Sequence, residues 1–187
     1  GNNISYALSF RDLAMPWAIN DSIDKAFKLM RKSYQLITEL NDSDAMSTVA
    51  NGLGLLFFKT SQLDSAKAYY YHSLDLKTID PAPSYLMLGR IYLDEQNTDS
   101  ARIFANKTDT KSLNLYTQVG RLKLLSQIEK SNNNLPKAIN WLEKYEDAVD
   151  SLYDEENEIN VSNVEDQYNH VLLVNDNERL KVRNLFF

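Results

Sequence analysis

One stretch of this chain is written twice, 35 residues apart, and that repetition narrows the possible folds more than any other feature. Residues 53–74 read LGLLFFKTSQLDSAKAYYYHSL and residues 88–105 read LGRIYLDEQNTDSARIFA. Each copy opens on Leu-Gly, at Leu53-Gly54 and Leu88-Gly89, with an aromatic three residues after the glycine, Phe57 or Tyr92. Twelve residues after each glycine stands an alanine, Ala66 or Ala101, reached through the same Asp-Ser step at Asp64-Ser65 and Asp99-Ser100. Tyr70 and Ser73 continue the first copy and Ala105 the second. A small residue early in one helix lets a neighbour approach, and a second small residue does the same on the next helix. Apolar residues spaced three and four apart then fill the seam. One such hairpin cannot cover both of its faces, so hairpins stack.

Two further copies are fainter. Leu125 and Ser126 take the Leu-Gly places of one, with Ala138 and Leu142 beyond, but Glu129 stands where the aromatic belongs. The N-terminal copy uses Leu13, Ala14, Trp17 and Ala26, followed by Met30 and Ser33. Pro16 falls inside its first helix, so that helix is expected to begin late or to kink. The pattern predicts helices near 4–14, 21–40, 45–59, 63–77, 83–95, 98–107, 112–131 and 135–153, then a long one near 156–185. Asn41-Asp42-Ser43, Asp80-Pro81-Ala82-Pro83 and Ser131-Asn132-Asn133-Asn134 mark the breaks. Five glycines and four prolines in 187 residues leave little turn material for an all-β alternative.

This pattern resembles the tetratricopeptide-repeat family, whose unit of about 34 residues places Leu-Gly, Tyr, Ala, aromatic and Ala at fixed offsets. The resemblance implies an all-α, right-handed superhelical solenoid of α-hairpins with a long C-terminal helix. It makes 1–187 a single domain, with repeats near 7–40, 47–80, 82–115 and 119–152 and a helical arm over 155–187. It also implies a binding module rather than an enzyme, with a protein or peptide ligand in a concave groove lined by the first helix of each repeat. Carried over, the groove positions fall on Asn51, Leu55, Phe58 and Lys59, then Leu86, Arg90 and Leu93, then Lys123 and Gln127. The family's lysine- and asparagine-based clamp for a terminal carboxylate is excluded, because Leu55 and Leu86 hold two of its places.

The C-terminal third resembles the end of the extracytoplasmic tetratricopeptide sensor regions of Bacteroidetes membrane-bound regulators. The matching residues are Ala138, Trp141, Tyr145 and Asp150-Ser151-Leu152-Tyr153, with Tyr168, Asn177, Glu178 and Leu180 in the arm. That implies the sensor or partner-docking region of a membrane-anchored transcriptional regulator or signalling protein, periplasmic or otherwise extracytoplasmic. Any membrane contact would come through a segment following Phe187, and any oligomer through the C-terminal helix. Arg179, Lys181 and Arg183 would then flank the span on its outer side, where basic residues are disfavoured. The alternative is a free-standing structural adaptor, which could be cytoplasmic, that scaffolds a protein complex.

Charge and composition remove other classes. A formal net charge of −6 argues against nucleic-acid binding by phosphate neutralisation. No cysteine is present, so disulfides, thiolate nucleophiles and cysteine-bound metals are excluded together. The two histidines, His72 and His170, lie far apart and read as packing or solvent-facing residues. Between Glu143 and Asp166 ten acids face one base, Lys144, but without the central glycine of a calcium loop they read as a solvated helix face. No catalytic, cofactor or metal residues are expected. Of the run Tyr69-Tyr70-Tyr71, the repeat spacing sends Tyr70 to the core and its neighbours to the helix margins.

Overall fold

The computed structural model describes residues 2–19, 22–76, 78–108, 115–154 and 157, and its described secondary structure is helical throughout. The helices are α1 (Asn2–Ile19), α2 (Ile23–Leu40), α3 (Ser43–Lys59), α4 (Leu63–Asp75), α5 (Ala82–Asp94), α6 (Thr98–Lys107) and α7 (Leu115–Ser131). An eighth, α8, covers 135–154. The helix expected near 156–185 lies outside the described residues.

Consecutive helices pair as hairpins, α1 with α2, α3 with α4, α5 with α6, and the hairpins stack in chain order. The turns inside the later three hairpins share one geometry. Ser61, Gln96 and Asn133 each adopt a left-handed conformation, with φ of 58°, 61° and 57°. At each turn that residue's N–H donates three residues back, to Phe58, Leu93 or Lys130, and the next N–H reaches five back, to Phe57, Tyr92 or Glu129. The orphan carbonyls at the helix end are thereby satisfied. Start signals are equally local: the Asp42 carboxylate accepts the Ala45 N–H at 2.8 Å, and the Asn97 side chain accepts the Ser100 N–H at 3.0 Å.

The odd helices form one layer and the even helices the other. Among α1 to α7, the backbone of α1 approaches α3, α3 approaches α5 and α5 approaches α7, whereas the backbones of α2, α4 and α6 stay farther apart. A stack held closer on one side bends toward it, so the odd helices line the inner face. Glycine permits this closeness: an added Cβ at Gly120 would lie 2.6 Å from a Leu86 methyl, and one at Gly89 would lie 2.8 Å from a Leu124 methyl. Aromatic pairs join the two helices within each clear hairpin. Phe57 stacks on Tyr69 at 5.4 Å between centroids, and Tyr92 repeats this on Phe104 at 5.3 Å. Tyr34 of α2 reaches across to α4, meeting His72 Nε2 at 2.9 Å and the edge of Tyr69.

Three expectations need correction or completion. α1 neither starts late nor ends at residue 14, but runs through Pro16 to Ile19. Pro16 and Asp12, four residues earlier, are both exposed, so water can take the carbonyl that the proline leaves without a donor. Glu129, at the aromatic place of the last copy, is buried and accepts from Arg102 of α6 at 2.7 Å, so an ion pair replaces the ring stack. Leu142 is exposed rather than seam-filling; Ala138 and Ala148 are the buried residues of α8. The last described helix has one covered face, and Leu135, Ile139 and Leu142 lie on its open side.

Candidate functional site

Three cavities mark the inner face. The first, about 350 Å³, lies between α1, α3 and α5. Met15, Leu55, Pro83 and Met87 give it apolar walls, and Arg11, Asn51 and Tyr70 bring polar groups. A second, about 470 Å³, adjoins it through Arg11, Thr48, Asn51 and Pro83 and adds Asp44 and Asp80. A third, about 490 Å³, lies between α5 and α7, lined by Arg90, Leu93, Asp94, Gln127 and Lys130. The Arg90 guanidinium rests over the Phe58 ring at 5.5 Å, so this contact links α3 and α5.

Asn51 is set by a line of hydroxyls running through the hairpin seams. Ser84 Oγ donates to Asn51 Oδ1 at 2.7 Å. Having given its proton, Ser84 accepts from Ser73 Oγ at 2.9 Å, and Ser73 in turn accepts from Ser47 Oγ at 2.6 Å. All three serines are buried. Each hydroxyl has one proton, so the direction is fixed from Ser47 to Asn51. The Asn51 carbonyl thereby accepts one bond, and Asn51 lines the cavity with its NH2 group available as a donor.

Tyr70 is the second fixed group. It is 1% exposed, and its ring lies against Gly54, where an added Cβ would meet Cζ at 2.8 Å. The side chain starts on outer helix α4 and passes Gly54 of α3, so its hydroxyl end is what reaches the inner cavity. That hydroxyl has no hydrogen-bond partner among the described residues. Burial pushes its pKa well up, and the positive charge of Arg90 offsets this only in part, so it remains a protonated donor.

Of the groove positions carried over from the repeat, Asn51 and Leu55 line the first cavity, and Arg90, Leu93 and Gln127 come together at the third. Phe58 joins through the Arg90 contact. Leu86 is drawn away into the close approach to Gly120. Lys123 is exposed and its ammonium lies 5.8 Å from the centre of the Tyr145 ring on α8. Lys59 stands exposed in the last turn of α3. The repeat register missed Arg11, Met15, Thr48, Pro83 and Met87. Arg11 and Met15 precede Leu13-Ala14 and Trp17 by the same steps as Asn51 and Leu55 in their copy, so the signal was present in α1.

Among the described residues no group of acids and histidines could hold a metal ion, and no helix is long and apolar enough to cross a membrane. His72 is engaged with Tyr34; His170 lies outside the described residues.

Comparison with known proteins agrees with this geometry. Residues 82–107, the α5–α6 hairpin, match the tetratricopeptide repeat family model. No curated protein sequence matches the chain. Among solved structures it is similar to the crystal structure of BtubC (BKLC) from P. vanneervenii, with a TM-score of 0.63 and 16% identity over 77% of this chain. The fold is a tetratricopeptide-like helical repeat. The match spans 63% of the BtubC chain, so this chain covers less than two thirds of that protein's length. Repeats of this kind generally bind proteins or peptides, and folds of this type are typically not enzymes.

Proposed function

We propose that the inner face of α1, α3, α5 and α7 is a docking groove for an extended or helical segment of a partner protein. The observation that carries this is the pair of cavities on either side of the Phe58–Arg90 contact, with apolar walls and fixed polar groups on one continuous layer. An apolar surface with a few oriented donors suits peptide recognition. Panning a random peptide library on the immobilised protein tests it. Selected peptides should bind at least about tenfold more weakly to Leu55→Glu and to Arg90→Ala, the loss expected when a groove contact worth about 1.4 kcal/mol is removed. Binders indifferent to both changes would move the site off this face.

At a finer level, the groove serves as the sensor or partner-docking region of a membrane-anchored regulator on the extracytoplasmic side. The supporting observation is the Asp150-Ser151-Leu152-Tyr153 sequence closing α8, which resembles the end of such sensor regions. A gene that continues beyond Phe187 into an apolar span of about 20 residues and an output domain would bear this out. A gene without them leaves the free-standing scaffolding adaptor.

A further inference from the structure

The Asn51 amide, the Tyr70 hydroxyl and the Arg11 guanidinium line one apolar-walled cavity, and all three offer donors there. Asn51 accepts from Ser84 through its carbonyl and offers its NH2 group as a donor. Tyr70 is buried with no acceptor for its proton among the described residues. Arg11 holds Asp12 through Nε and Nη2, which leaves Nη1, and the pair is solvent-accessible, with Arg11 partly exposed and Asp12 largely so. Such a pair contributes little and redirects at small cost. A buried hydroxyl without an acceptor is costly to keep, and a structure that keeps one has a reason for it.

We infer that this cavity is a specificity pocket for a glutamate side chain of the docked segment, an inference that rests on the groove reading above. Among the described residues Arg11 is the only charged side chain lining this cavity, so an anion is the favoured acceptor. Two acids, Asp44 and Asp80, line the adjoining cavity. Each accepts a backbone N–H, from Ile79 and Ala82 respectively, and together they repel an anion from that side. The carboxylate therefore sits at the Tyr70 end. The hydroxyl lies at the buried floor, so a long acid reaches it and a short one does not. The two methylenes of glutamate then pass between Met15, Leu55 and Met87, where flexible thioether side chains adjust to them. The inner face continues toward α7 beyond this cavity, so the chain passes over it rather than ending in it.

The test is a titration of the full chain with blocked peptides, followed by the side-chain amide resonances of Asn51 in nitrogen–proton correlation spectra. The probes are acetyl-Ala-Ala-X-Ala-Ala-amide with X as glutamate, glutamine or aspartate, and acetyl-pentaalanine with a free terminal carboxylate. The glutamate peptide should shift Asn51 saturably, with the glutamine and aspartate peptides at least about tenfold weaker, as for loss of a hydrogen bond to a charged group. Arg11→Gln should weaken the glutamate peptide about tenfold and Tyr70→Phe by at least about threefold, with unchanged circular dichroism. Equal binding of the glutamine peptide, or binding of the free-terminus peptide alone, overturns the inference. So does the absence of any shift with the glutamate peptide. If library-selected peptides still depend on Leu55 and Arg90 in that case, the groove stands without the glutamate pocket; if no such peptides emerge, the groove reading fails as well.

Discussion

The two clear copies of the repeat put the same glycine to different uses. Tyr70 and Ala105 occupy equivalent places, 35 residues apart, as do Gly54 and Gly89. In the first copy the tyrosine ring comes from the hairpin's own second helix and lies flat against Gly54. In the second copy an alanine cannot fill that space. The approach to Gly89 is made instead by Leu124 from α7, with the Ala101 carbonyl and Phe104 Cβ behind it. One hairpin is sealed from within and the other by its neighbour. The sealed hairpin is also the one that presents a hydroxyl to the groove, so the substitution that separates the copies in packing separates them in binding.

The largest expected effect breaks the first copy alone. Gly54→Ala should destabilise by about 2–3 kcal/mol in urea denaturation, because a buried ring between packed helices cannot withdraw. Equal losses for Gly54→Ala and Gly89→Ala would erase the distinction. Next comes the polar seam. Ser73→Ala removes the middle hydroxyl, leaves the buried Ser47 proton without its acceptor, and should cost about 1–2 kcal/mol. Thr108, at the equivalent place, bonds the Ala105 carbonyl of its own helix and no other described residue, so Thr108→Ala should cost less. Tyr70→Phe should act in the opposite direction, raising stability by about 1 kcal/mol by removing an unpartnered buried hydroxyl. A loss of stability there would reveal an acceptor for Tyr70 within the folded chain. The smallest change is Gly89→Ala, expected within about 0.5 kcal/mol of the parent. The gain in helix propensity offsets a clash with the mobile end of Leu124, while the Ala101 carbonyl at 3.3 Å needs only a slight adjustment.

The helical stack was legible because its signals are local. Leu53-Gly54, Leu88-Gly89 and the turns after Lys59 and Asp94 fix hairpins by chemistry within a few residues, and Tyr70 fell in the core as its spacing required. Pro16 misled because a proline's effect depends on whether its helix position faces water, which the residue alone does not reveal. No groove positions were taken from the N-terminal copy, so Arg11 and Met15 were missed. Leu86 was placed in the groove by register but is claimed by Gly120, a contact between repeats set by how hairpins rotate on one another. The unpartnered Tyr70 hydroxyl was equally hidden, since it depends on what three separate helices do not supply.

The shared turn at Ser61, Gln96 and Asn133 bears on how such a chain can change over generations. Each turn closes with the same backbone bonds to its own preceding helix, and among the described residues the adjacent hairpin adds only a side-chain contact, Lys67 to Glu95 at the α5–α6 turn. A hairpin bounded this way is an exchangeable part: a duplicated copy could be spliced in without the neighbouring turns being rebuilt. The groove would lengthen by one pair of helices at a time, and the partner segment it accommodates would lengthen in equal steps.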